Sequence, residues 1–199
     1  MSLVEWAYAV SEERLADTLP VRWLHVQGVA RKAKSFASIV GSDAGLLEAA
    51  AVLHDVGYAP DLATTGFHPL DGARFLQSID APERLVHLVA HHSCAVIEAR
   101  LRNLETDLSA YVDEATPVRD ALWTCDLTTT PAGEPTRHTD RIEEIKARYG
   151  LDSIVGRFIV EAEPQLVSAI SRTERRVSAA PRHLPDVGLR SPLDAMDGS

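Results

Sequence analysis

Apolar residues recur at three- and four-residue spacing through most of the chain, and alternating runs of β-branched residues are almost absent. That period gathers apolar side chains onto one face of a helix and would scatter them over both faces of a strand. It predicts an all-α helical bundle. The helices are expected over Ser11 to Thr18, Pro20 to Val40, Asp43 to His54, Pro69 to Ser78, Pro82 to His92, Ala95 to Glu105, Pro117 to Asp126, Thr136 to Tyr149 and Leu151 to Ala179. Pro20, Pro69, Pro82 and Pro117 stand where a first-turn proline loses no hydrogen bond, Asp80 and Thr116 are candidate caps, and Gly41, Gly57 and Gly150 mark expected ends. Pro164 falls inside the last helix and is expected to kink or break it.

A chain of 199 residues is enough for one domain with a sizeable core. Residues 1–178 read as that domain. The stretch "APRHLPDVGLRSPLDAMDGS" carries proline and glycine with little apolar periodicity, so residues 179–199 read as a disordered tail. A net charge of −9 argues against binding a nucleic-acid polymer, which draws on many cations facing phosphates. The expected partner is a small, locally recognised ligand. Cys94 and Cys125 form no CxxC pair and read as buried thiols. No run reaches the ~18 apolar residues of a membrane span, and the N-terminus shows no apolar leader, so no membrane partner and a cytoplasmic location are expected.

The stretch "AAAVLHDVGYAP", Ala49 to Pro60, carries an apolar helical run into His54 and Asp55 and then breaks. Two buried polar groups need hydrogen-bond partners or a cation to offset their desolvation. Other histidines share this setting: His25 in "RWLHVQGVA", His68 in "GFHPLDGARFL", His91 and His92 in "LVAHHS", with Asp126 in "LWTCDLTTT". A lone histidine on an apolar helix is more often a hydrogen-bonded core residue than a ligand. A set of this size is different. Imidazole nitrogen combined with carboxylate oxygen suits Fe, Mn, Zn or Co. Adjacent helical residues point about 100° apart, so His54 and Asp55 meet at one site only where the helix ends.

The order of these residues, from about Pro20 to Asp126, resembles the HD superfamily of metal-dependent phosphohydrolases. The resemblance implies an HD-domain helical bundle in which His25, His54, Asp55 and Asp126 bind one divalent transition metal. It further resembles the two-metal branch, which would assign His68, His91 and His92 to a second metal bridged by Asp55. The implied activity is hydrolysis of a small phosphate ester or nucleotide by a metal-activated water, with Asp55 and Asp126 as catalytic residues. Arg22, three residues before His25 and on nearly the same face, is the candidate phosphate-facing cation, against a reading as a surface salt bridge. Tyr58 stands where many relatives carry a lysine, and it joins Thr128 and Thr129 as candidate substrate contacts. The Gly-Tyr-Pro triplet of the cyclic-di-GMP-degrading branch is absent after the histidine pair, so that substrate is not inferred.

Two other readings stay open at this level. Some proteins of this fold hold a mixed-valent di-iron pair and oxidise C–H bonds with dioxygen, and others bind metal or nucleotide for regulation without catalysis. His87, four residues before His91, reads as surface or packing, as do His138 and His183, and Lys32 and Lys34 belong to a solvated run. Ile154, Phe158, Ile159, Leu166, Ile170 and Val177 form an apolar face that covers the core or serves a homodimer.

Overall fold

A computed structural model describes residues 1–180, and among them there is no β-strand, only an isolated bridge between Thr129 and Pro135. The helices are α1 (Leu3–Leu15), α2 (Pro20–Ser35), α3 (Ala37–Val40), α4 (Ala44–Leu53), α5 (His68–Ser78), α6 (Glu83–Ala90), α7 (Ala95–Leu101), α8 (Glu105–Leu108), α9 (Pro117–Leu127), α10 (His138–Tyr149) and α11 (Ile154–Ala179). The all-α architecture is as the apolar spacing predicts. No single helix among the described residues is long and apolar enough to cross a membrane. The expected tail lies, from residue 181 onward, outside the described residues, as does His183.

Helix ends follow local chemistry. Thr116 caps α9 by accepting the Arg119 N–H, and Pro117 opens the helix. Asp80, expected as a cap, instead takes φ 56° after α5 and helps to end it. α1 begins eight residues before its expected start because Ser2 and Glu5 form a reciprocal capping box. α11 runs through Pro164 without the expected break. Its buried face, with Ile159, Ala162, Leu166, Ala169 and Ile170, packs on α9, α10 and α7, and that burial outweighs one lost backbone hydrogen bond.

The core falls into two main bodies. The larger lies around α4, whose Leu47, Val52 and Leu53 are fully buried against α1, α2 and α9. The smaller joins Cys94, Ile97, Trp123 and Leu127 to Ile142, Ile159, Leu166 and Ile170 of α10 and α11. Both cysteines are buried free thiols, in line with the sequence. A cavity lined by residues from both bodies opens between α2, the end of α4 and the α10–α11 pair.

Candidate metal centre

The site is assembled from helix ends. α4 stops at Leu53, His54 is its last capping residue, and Asp55 opens a single 3-10 turn over Val56–Tyr58 with φ −101° and ψ 8°. Gly57 in this turn allows the chain to lie directly on the start of α5: a Cβ there would stand 2.1 Å from the His68 carbonyl oxygen and 2.5 Å from the Gly72 nitrogen. Asp55 and His68 are thereby brought together. α6 likewise stops at Ala90, and the following residues turn sharply, with Ser93 at φ 47° and Cys94 at φ 61°. The two neighbours point apart, His91 toward the Tyr111 carbonyl and His92 toward His68.

Six of the seven expected ligands converge. His25, His54 and Asp126 form one group whose ligand atoms all lie within 4.8 Å of one another, and Asp55, His68 and His92 form a second. Asp55 stands between the groups. Its Oδ2 lies 3.3 Å from His54 Nε2 and 3.8 Å from His25 Nε2, while its Oδ1 lies 3.2 Å from His68 Nε2 and 3.8 Å from His92 Nε2. One carboxylate thus presents one oxygen to each group, the arrangement a bridging ligand requires.

The histidine orientations are set by backbone. His25 Nδ1 lies 3.0 Å from the Thr130 carbonyl, His54 Nδ1 2.8 Å from that of Ala51 and His92 Nδ1 2.7 Å from that of Val89. A ring nitrogen facing a carbonyl must donate, so in the neutral imidazole Nε2 is left as a bare lone pair. Those lone pairs then face carboxylate oxygens: His25 Nε2 is 3.1 Å from Asp126 Oδ1, and the buried Nε2 of His54 has no hydrogen-bond partner among the described residues. His68 Nε2 lies 3.0 Å from His92 Nε2 and 3.2 Å from Asp55 Oδ1, three acceptors sharing at most one proton. Acceptors crowded on acceptors call for extra protons or cations. Nitrogen and carboxylate donors with their outer nitrogens held by carbonyls fit a divalent transition metal.

The local field agrees. Burial lowers the proton affinity of His54, but the charges of Asp55 and Asp126 outweigh it and raise its pKa to about 9. A negative field that favours a proton there favours a cation. His92 is pushed down to about 3 by burial and by its neighbours His68 and His54, and stays neutral. Asp55 and Asp126 are held well below the usual carboxylate range despite burial, Asp55 by Arg22 and His54, Asp126 by His25 and His54. Burial and the Asp55 charge raise the Tyr58 phenol, which keeps its proton.

The remaining expected residues divide. Arg22 reaches the site, with Nη1 2.6 Å from Asp55 Oδ2 and its guanidinium 4.1 Å from the Tyr58 ring centre. Tyr58 in turn stacks on His68 at 3.9 Å between ring centroids. Both line the cavity. His91 is a correction: its Nε2 lies 2.9 Å from the Tyr111 carbonyl, its own carbonyl accepts from Trp123 Nε1, and it joins neither group. The 3-10 turn after α6 rotates its neighbour inward and leaves His91 in the core.

Thr128 and Thr129 are also corrections to the expected substrate contacts. Their hydroxyls donate to the Thr124 and Cys125 carbonyls at the end of α9, and both residues are buried away from the cavity. That loop contributes the Thr130 carbonyl instead. Lys32, expected in solvent, is half-buried and bonds both the hydroxyl and the carbonyl of Thr128, tying α2 to the loop. Lys34 pairs with Glu48, His87 lies edge-on to Tyr111, and His138 begins α10.

Sequence reasoning missed Ser93 and Arg141. The Ser93 hydroxyl donates to Asp126 Oδ2 and lines the cavity. Arg141 is buried and lines both this cavity and an adjoining one with Arg22 and His25. Nothing at either position marks it in a single sequence, since a serine after a histidine pair and an arginine on an amphipathic helix are ordinary.

Neither the curated proteins nor the solved structures give a match. The family model for the HD domain matches residues 22–121, half of the chain and the span that supplies every residue of the two ligand groups except Asp126. HD domains are all-α, bind divalent metals and are commonly metal-dependent phosphohydrolases; this chain has the helical frame and His/Asp groups that could hold a metal. The chain belongs to the HD domain family.

Proposed function

We propose that this chain is a metal-dependent phosphohydrolase acting on a small phosphate ester or nucleotide. The observation that carries the reading is Asp55, whose two oxygens face two separate groups of nitrogen and oxygen donors. His25, His54 and Asp126 would hold one divalent transition metal, His68 and His92 the other, with Asp55 shared. When bound, such metals supply Lewis acidity and a nucleophilic hydroxide at neutral pH.

The chain's own groups position and exclude. Asp126 is oriented by His25 and by the Ser93 hydroxyl, which keeps one carboxylate oxygen turned to the ligand group and the other to the cavity residue Ser93. Arg22 brings a fixed positive charge to the rim of the cavity, suited to a phosphate oxygen. Its stacking on Tyr58 keeps the guanidinium plane in place. The absence of lysine at position 58 leaves Arg22 as the cation that the family-matched segment places beside Asp55.

The test is metal analysis of protein purified without chelator, followed by assays of phosphate release with Mn, Fe, Co or Zn added. About two metal atoms per chain and metal-dependent phosphate release are expected. Oxygen consumption with an organic phosphonate or polyol, and no phosphate release from any ester, would replace this reading with oxygenase chemistry. Binding of metal with neither activity would replace it with a regulatory role.

A further inference from the structure

The cavity over the ligand groups has a volume of about 250 Å³, and its two ends differ in chemistry. One end carries Asp55, His68, His92 and Asp126 together with Arg22. The other is formed by Leu127, Ile145, Phe158, Ile159 and Leu166, all of which lie outside the residues matched by the family model. This wall is therefore supplied by α10, α11 and the last turn of α9.

Most of the charged groups near that wall are already paired, and Tyr149 lines the cavity beside them. Glu98 is buried, and its carboxylate accepts from Arg102 at 2.7 and 2.8 Å. Arg141 and Arg148, which also line the cavity, both pair with Glu144. Arg141 leaves its buried Nε without a hydrogen-bond partner among the described residues, and because it shares the one Glu144 carboxylate with Arg148, the positive charge there is only partly compensated. A nucleobase or sugar at the apolar end would lose hydrogen bonds to water and find no free acceptor or donor among the five apolar side chains. A hydrocarbon group loses nothing there and gains burial.

We infer that the substrate is the phosphate monoester of an apolar alcohol or phenol, with its phosphate between the ligand groups and Arg22 and its hydrocarbon part against Ile145, Phe158 and Leu166. The inference rests on the phosphohydrolase reading for the position of the phosphate. Arg141, which lines the same cavity, supplies a second cation. The hydrocarbon pocket sets the choice of substrate, and the metal-binding residues do not.

The experiment is isothermal titration of the full chain, with its metal content measured, against benzylphosphonate, methylphosphonate and the phosphonate analogue of adenosine 5′-monophosphate in which a CH2 group replaces the ester oxygen. These are non-hydrolysable or slowly turned over, so binding is read apart from catalysis. Benzylphosphonate is expected to bind about 10- to 100-fold more tightly than methylphosphonate, the discrimination an apolar pocket gives for added hydrocarbon. Phe158→Ala should reduce that preference and leave the methylphosphonate affinity unchanged, while Arg141→Gln should weaken both phosphonates. Ile145→Ser serves the same purpose if Phe158→Ala fails to fold.

Equal affinities for benzylphosphonate and methylphosphonate, or tighter binding of the nucleotide analogue, would overturn the inference and leave hydrolysis open to direct assay. A benzyl preference in a protein that releases phosphate from no ester would overturn the hydrolase reading while the apolar pocket stands.

Discussion

Arg22 Nη1 lies 2.6 Å from Asp55 Oδ2, the same oxygen that faces His54 and His25. A guanidinium and a cation at the first ligand group would thus share one carboxylate oxygen, and the other nitrogens of the Arg22 guanidinium are left for an incoming anion. Arg22→Gln is expected to leave metal content unchanged and to lower kcat/KM by about 10- to 100-fold, the scale of one charge-assisted hydrogen bond. Arg22→Lys should not restore it, because an ammonium neither forks nor stacks on Tyr58 in the same way. Steady-state kinetics beside elemental analysis decides the matter.

The neighbours His91 and His92 should separate cleanly. His92→Ala is expected to remove about one metal atom per chain. His91→Ala should keep the metal and instead lose about 1–3 kcal/mol of stability, since it strands the buried Tyr111 carbonyl. Metal stoichiometry and urea melts of the two variants read both effects. Metal lost from His91→Ala with full stability would return that residue to the ligand set.

Gly57→Ala is expected to disturb the site without touching a ligand. The added methyl would sit 2.1 Å from the His68 carbonyl oxygen, which forces the 3-10 turn away from α5. A loss of about 1–3 kcal/mol in stability is expected from overpacking, together with a fall in metal content. Chemical denaturation and elemental analysis check the pair of effects, and an unchanged metal count would show that the turn yields without moving Asp55.

A pH effect is expected away from the metal. Asp120 is buried among Arg119, Arg172 and Arg176, and these hydrogen bonds hold its carboxyl below the usual range although burial acts the other way. A depressed folded-state pKa stabilises the protein above the unfolded value of about 3.9 and the benefit is lost as pH falls through the folded value. Asp120→Asn should therefore cost about 1.5–3 kcal/mol at pH 7, with the gap to the parent protein closing as the pH is taken below about 4. Urea unfolding across that range tests it.

Much of the fold was readable from periodicity, because a helix that buries one face writes that face into its spacing. The early start of α1 was missed because its apolar period is weak, although the pattern Ser2-Leu3-Val4-Glu5 carries the capping box that marks it. Most of the candidate ligands were visible because histidine and aspartate are rare inside apolar stretches. The difference between His91 and His92 was not, since it depends on which of two neighbours meets the Tyr111 carbonyl, a contact that only tertiary packing brings about. Thr128 and Thr129 misled for a related reason: a hydroxyl at a helix end finds the nearest free carbonyl before any ligand. The hydrocarbon pocket was invisible because Ile145, Phe158 and Leu166 come from different turns that only tertiary packing brings together.

His25, His54 and His92 have their outer nitrogens on main-chain carbonyls, two of them three residues back in the same helix end. In sites whose outer partners are side chains, metal affinity and acidity can be retuned by exchanging one residue at a time. Here no such side chain exists to exchange at those three positions. The His54 and His92 imidazoles are aimed by carbonyls in the last turns of α4 and α6, and that of His25 by the Thr130 carbonyl just after α9, so the chain arrives at this geometry largely by completing its helices, and metal capture requires little further ordering of these three side chains.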